Sequence, residues 1–407
     1  MNRASIFYYR FKNFSIFLPS SMARRHWIGA AWLCLLALGL QELGIARGEP
    51  SAIIVFGDST VDTGTNFYSP ATPFNFQANR YPYGFKGFQG QATGRFTEGR
   101  VIIDFIAEYA GFPVVESYAK PDASLAQGAN FGSGGAGALD DTNEGMVTPL
   151  SKQLENFADF CGNVSKERNL VEYEEFLSNA VYLISIGSND YLSGYFSHPH
   201  LQQAFTPEQF VTLVVSNITK AIEVLHSKGA RKIVMFGVGP LGCLPPLRIV
   251  NGSGGCHEPA TALGQAHNYA LGLAIQRLRQ IHPDSIIVRA HFYDFFEERQ
   301  NNFGAYGFKE PAQACCGAGP FHGRGHCGIE SVDPELSYEL CEEPSSHVWW
   351  DPYHPSERVH EQYAQALWRG NATVIEPVNL EQLFHSSSPS GRMENPGTPS
   401  FAFPEMI

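Results

Sequence analysis

A hydroxyl, an imidazole and a carboxylate make up the relay that moves an acyl group, and this chain holds all three where turns would present them. Ser59 follows the apolar run Ile53–Phe56 and the permissive Gly57. It therefore emerges at the carboxyl end of a strand, where open α/β sheets keep their reactive groups. Asp351 and His354 stand three positions apart in Trp350-Asp351-Pro352-Tyr353-His354-Pro355, just ahead of a helical pattern. The imidazole would take the Ser59 proton, and the carboxylate would hold the imidazole tautomer and stabilise its cation. Two prolines restrict that loop. A tetrahedral oxyanion also needs donors. Asn189 closes a second apolar run at the same sheet edge as Ser59, and the Gly128–Gly137 segment, read as a flexible loop, offers backbone N–H groups without Cβ obstruction. Taken singly, the glycine run reads as a linker and Asn189-Asp190 as a turn. The four fragments together argue for chemistry.

The elements that must position these groups alternate. Ala52–Phe56, Val181–Ile186, Lys232–Phe236 and Ser285–Val288 read as buried strands, since each is a short apolar run. Helical spacing appears at Arg100–Ala110, from an N-cap at Thr206 to about Lys228, at Ala260–Ile281, and from an N-cap at Ser356 to Trp368. Between Thr63 and Thr97 lies a long loop rich in Gly, Tyr and Phe. Strand–helix alternation predicts a doubly wound, mostly parallel sheet with no internal repeat. The aromatics of residues 67–88 offer an acyl groove, although such irregular spacing also suits ordinary packing.

Length and charge narrow the partners. Arg24 and Arg25 precede an apolar run from Trp27 to Leu40 that is too short to span a bilayer and suits a signal-peptide core. Cleavage is expected after Ala46, with Gly48 the alternative, and Met22 is a neater start than Met1. The 407-residue chain carries −12; residues 1–46 hold five basic and one acidic group, so the remainder carries −16. That acidity argues against nucleic acid and anionic membranes as partners. No later segment is apolar and long enough to span a bilayer, and a secreted monomer is expected.

Seven cysteines follow the leader: Cys161, Cys243, Cys256, Cys315, Cys316, Cys327 and Cys341. They allow three disulfides and one thiol, with Cys243–Cys256 the first pairing expected because it closes a short Pro/Gly-rich loop. A zinc reading of His322, His326, Cys327 and Cys341 fits no standard ligand spacing. Sequons at Asn163, Asn217, Asn251 and Asn371 suit the secretory route. From about residue 383 the composition turns Ser/Pro/Gly-rich, so residues 383–407 are expected to form a disordered tail.

Over residues 50–382 the chain resembles the plant GDSL-type esterase/lipases of the SGNH hydrolase superfamily. The resemblance is carried by Phe56-Gly57-Asp58-Ser59 with Asp62-Thr63-Gly64, by Pro82-Tyr83-Gly84, and by Thr93-Gly94-Arg95-Phe96-Thr97-Glu98-Gly99-Arg100. Leu241-Gly242-Cys243-Leu244-Pro245, Ala314-Cys315-Cys316-Gly317 and the Asp351/His354/Pro355 motif continue it. It implies a flavodoxin-like three-layer α/β/α fold, Ser59 as nucleophile, His354 as base and Asp351 as its orienter. The implied oxyanion hole comprises Ser59 N–H, the Asn189 side chain and Gly135, with Gly134 the alternative. No cofactor or metal is implied. Three departures stand out: Thr60 in place of leucine, Gly132 in place of alanine, and Thr65 where asparagine is common. The expected activity is hydrolysis of lipid or other acyl esters. The alternatives are acyl transfer to an alcohol through the same residues, or a silent secreted binding or defence protein.

Overall fold

The computed structural model describes residues 50–387, so the expected leader and nearly all of the expected tail lie outside the described residues. Six strands form the central sheet: β1 (Ile53–Gly57), β2 (Gly128–Asn130), β3 (Val181–Ser185), β4 (Lys232–Phe236), β5 (Ile286–Ala290) and β6 (Ile375–Glu376). Their order is β6-β5-β4-β3-β1-β2. All neighbours run parallel except β6, which is antiparallel to β5 at the edge. The first five strands were legible as short apolar runs except β2, whose Gly-Ala-Asn lacks any apolar pattern; three residues of the supposed flexible loop are in fact an edge strand.

Side chains alternate across the pleat and feed two cores. Ile54, Phe56, Tyr182, Ile184, Ile233 and Met235 face one layer, made by α2 (Leu150–Glu167), α3 (Pro207–Ser227) and α4 (Glu258–Ile281). Ile53, Val55, Leu183, Val234 and Val288 face the other, made by α1 (Ile102–Tyr109), α5 (Phe292–Asn301), α6 (Glu357–Arg369) and α7 (Leu380–His385). The result is the expected three-layer α/β/α sandwich. Leu383 and Phe384, at the start of the expected tail, instead end α7 with their side chains buried, because that turn closes the second core.

Two caps differ in kind. Thr206 caps α3 through a reciprocal box with Gln209, as its sequence promised. Ser356 precedes α6 but turns its hydroxyl to the His347 carbonyl, 2.7 Å away. Glu98 caps α6 in its place: its Oε2 accepts from the Glu357 N–H at 3.1 Å and from the Thr97 hydroxyl at 2.7 Å. Arg100 donates to the Glu357 carboxylate at 2.8 Å, so two residues of the 93–100 motif hold the helix that begins three positions after His354.

Burial outweighs these hydrogen bonds and pushes Glu98 up to about 7. A carboxyl whose folded pKa is raised binds its proton more tightly in the native state, so it adds stability at low pH that is lost as pH rises through 7. Glu98→Gln removes that titration while keeping the acceptor. Its melting temperature relative to wild type should therefore climb between pH 5 and pH 8, as read by differential scanning calorimetry; a flat difference would refute the burial cost.

Candidate active site

Strand order reverses at β1, which pairs with β2 on one edge and β3 on the other, so the crevice beyond their carboxyl ends is a switch point. Three loops leave the sheet there. The first carries Ser59, the second the glycine run and the third Asn189. Gly57 turns the chain at φ 147°, with the Ser185 backbone where a Cβ would lie, so only glycine fits this exit from β1. Gln153 on α2 clamps that residue, accepting from the Gly57 N–H and donating to its carbonyl, both at 2.8 Å.

The Asp351/His354 turn arrives from the far end of the chain. Trp350 N–H donates to the His354 carbonyl at 2.8 Å and closes the turn. Cys315 and Cys316 N–H groups donate to the Trp349 and Trp350 carbonyls, which ties the turn to two disulfides, Cys315–Cys341 and Cys316–Cys327. Both bonds restrict this segment. Their cysteines include two of the four residues in the zinc reading, which is thereby excluded. Cys243–Cys256 forms as expected, and Cys161 is the buried free thiol.

Here the two ends of the sequence meet. His354 Nε2 lies 2.8 Å from Ser59 Oγ, while its Nδ1 lies 2.7 and 2.8 Å from the Asp351 carboxylate oxygens. Phe96 lies tilted over the imidazole with ring centroids 4.9 Å apart. Asp351 is buried, which favours its neutral form; the His354 imidazole, the Tyr353 and His354 N–H groups and the Tyr83 hydroxyl more than offset this and hold it below the ordinary carboxylate range. Tyr83, 2.7 Å from Asp351 Oδ2, carries a role its sequence context did not signal.

Buried carboxylates set the facing donors. Asp62 accepts from the N–H groups of Gly64 and Thr65 at 2.7 Å and from Gly134 at 2.9 Å. The Gly134 N–H is therefore engaged. The N–H groups of Ser59 and Gly135 have no acceptor among the described residues and line the same cleft. Asp190 likewise accepts from Ala138, Leu139 and Thr142, and the neighbouring Asn189 amide donates one N–H to the Ala136 carbonyl at 3.0 Å. Burial pushes both Asp62 and Asp190 up to about 6, against the pull of these donors. The glycine run is thus braced rather than flexible, which sequence could not reveal because Asp62 and Asp190 lie in other loops.

The cleft holds about 290 Å³. Of the aromatics in residues 67–88 only Phe76 and Tyr83 line it; Leu192, Leu241, Leu244, Phe292 and Phe296 supply the apolar wall instead.

A match to the GDSL-like lipase/acylhydrolase family extends over residues 53–367, covering every group described. The chain belongs to that family. It is 34% identical to a GDSL lipase of Tanacetum cinerariifolium, across 89% of this chain and 96% of that relative. It is 35% identical to GDSL esterase/lipase 4 of Arabidopsis thaliana, across 87% and 96%, and 37% identical to GDSL esterase/lipase 2 of the same plant, across 82% and 89%. Membership makes it a carboxylic ester hydrolase. Its departures from the GDSL pattern are accommodated: Thr60 donates its hydroxyl to Asp58 at 2.8 Å, and Gly132 donates its N–H to Asn130 at 2.8 Å. Asn66, one position beyond Thr65, bonds the Gly134 carbonyl at 2.7 Å.

Asp62→Asn would turn an amide donor toward the Gly134 N–H or abandon one of its other donors. The kcat for a soluble acetyl ester should fall by about 10- to 100-fold, the scale of a lost charge-assisted bond. Wild-type kcat in the folded variant would show that this brace is dispensable.

Proposed function

We propose that this GDSL family member is a secreted esterase that cleaves lipid or other acyl esters through a covalent acyl-enzyme on Ser59. The observation that carries this reading is the hydrogen bond of 2.8 Å between Ser59 Oγ and His354 Nε2, with Asp351 on the opposite ring nitrogen. Ser59 Oγ attacks the ester carbonyl and its proton passes to Nε2. Asp351 stabilises the resulting imidazolium. The oxyanion faces the Ser59 and Gly135 N–H groups and the second N–H of the Asn189 amide; Gly135 is preferred to Gly134 because Asp62 occupies the latter. As the tetrahedral adduct collapses, the C–O bond to the alcohol breaks and Nε2 returns the proton to the leaving oxygen. Water then gives its proton to Nε2 and attacks the acyl carbon, and Ser59 leaves with that proton as the carboxylic acid forms.

Three disulfides support an oxidising compartment. Among the described residues no helix is long and apolar enough to cross a membrane. Asn163 and Asn371 are exposed, as glycan attachment requires. The amide nitrogens of Asn217 and Asn251 donate to the Leu213 and Cys256 carbonyls and would have to release them.

Ser59→Ala should lower kcat/KM on short p-nitrophenyl esters by roughly a thousandfold or more, and abolish labelling by a fluorescent phosphonate. Turnover near wild type would refute the acyl-enzyme. Asn189→Ala should lower kcat by about 100- to 1,000-fold with KM little changed, since that donor serves the transition state. Product analysis with added glycerol separates the reactions: free acid supports hydrolysis, whereas glyceryl ester as the main product would reassign the enzyme as a transferase.

A further inference from the structure

Arg80 is a cationic side chain of the cleft that the relay does not use. Its guanidinium lines the same cavity as Ser59 and His354. Nε donates to the Cys327 carbonyl at 3.1 Å, and Nη1 donates to the carbonyls of Phe74, at 2.9 Å, and Gln77. The Phe74 and Tyr83 rings flank it, with centroids 4.8 and 5.3 Å away. All three acceptors are neutral, so they fix the fork in place without cancelling its charge. Among the described residues no carboxylate lies within 4.0 Å of it. Asp351 attracts the guanidinium only from beyond that distance, its oxygens accepting from His354, Tyr353 and Tyr83. Nη2 makes no hydrogen bond among the described residues. His326, exposed at the rim, lines the same end of the cleft as Arg80.

The aliphatic and cationic parts of the lining come from different segments of the chain. Apolar side chains come from segments that follow β3, β4 and β5, namely Leu192, Leu241, Leu244, Phe292 and Phe296. The cation comes from the loop that follows β1, held against the Cys316–Cys327 disulfide segment. A partly buried, pre-oriented guanidinium with an open donor is suited to a planar or tetrahedral anion, which can bring a negative charge into direct contact with it.

The geometry points to Arg80 as the anion-binding end of the substrate cleft, so that the favoured esters carry a carboxylate or phosphate on one side of the scissile bond and an apolar group on the other. This rests on the esterase reading above and refines its substrate class. Arg80 is a specificity residue here; it takes no part in proton transfer.

The test compares matched esters on purified full-length protein. Phenyl acetate is set against 4-acetoxybenzoate and 4-acetoxyphenyl phosphate, which place a carboxylate or a phosphate on the leaving group. 4-Nitrophenyl valerate is set against mono-4-nitrophenyl glutarate, which places a carboxylate on the acyl side. The readout is the charged-to-neutral ratio of kcat/KM, so any general loosening of the loop cancels within each variant. In wild type at least one charged ester should be preferred. In Arg80→Gln that ratio should drop by about 10- to 100-fold, the scale of one charge-assisted contact, mainly through KM, and Arg80→Lys should restore part of it. The pair that responds identifies the side of the bond and the anion. An unchanged ratio in Arg80→Gln, or a wild type that disfavours every charged member, overturns the inference while leaving the esterase reading intact. Undiminished turnover by Ser59→Ala would instead strike at the esterase reading itself.

Discussion

The two-sided pairing of β1 is the constraint on which the remainder of the molecule depends. Because β1 runs parallel to β2 and β3 in register, three separate loops must leave the sheet at one edge, spaced by the width of a strand. Ser59, the glycine run and Asn189 occupy those loops. Strand pairing is made of backbone hydrogen bonds between buried residues, so this edge is among the stiffest parts of the fold. Groups hung from it inherit that stiffness.

Short loops on a rigid edge still need their directions fixed, and buried carboxylates do this. Asp62 joins the turn after Ser59 to the glycine run, Asp190 joins the Asn189 turn to the end of that same run, and Glu98 joins the 93–100 motif to the start of α6. Each accepts backbone N–H groups that would otherwise be buried without partners. Each is also costly, since burial drives Asp62, Asp190 and Glu98 toward their neutral forms. A fold that keeps three such groups around one cleft trades stability for defined loop geometry. Asp351 differs: close contact with His354 holds it ionised, the state the proposed relay requires.

The His354 loop is organised by a second device. It belongs to no strand of the main sheet; backbone pairing with the Cys315–Cys316 segment and two disulfides hold it, and α6 starts directly after it. This small cross-linked subassembly also presents Cys327 to Arg80 and packs Trp350 beneath Tyr83, their ring centroids 5.9 Å apart. One cluster thus holds both the His354 turn and the Arg80 guanidinium.

Local chemistry was enough to show, before any coordinates, where the sheet strands of apolar character lie, that Thr206 starts a helix, and that Ser59, Asp351, His354 and Asn189 have the right groups in turns. Those features depend on residues adjacent in the chain. The edge strand Gly128–Asn130 was opaque because its pairing comes from β1 and not from its own side chains. The brace on the glycine run, the role of Tyr83 and the cap by Glu98 were opaque for the same reason: each bond spans 72 to 268 positions. The amino-acid order specified which functional groups exist and which segments extend or coil. Only folding decided which glycine N–H stays open, which aromatics reach the cleft and whether a guanidinium is left without a carboxylate in contact, because those outcomes depend on distances between segments that share no local pattern.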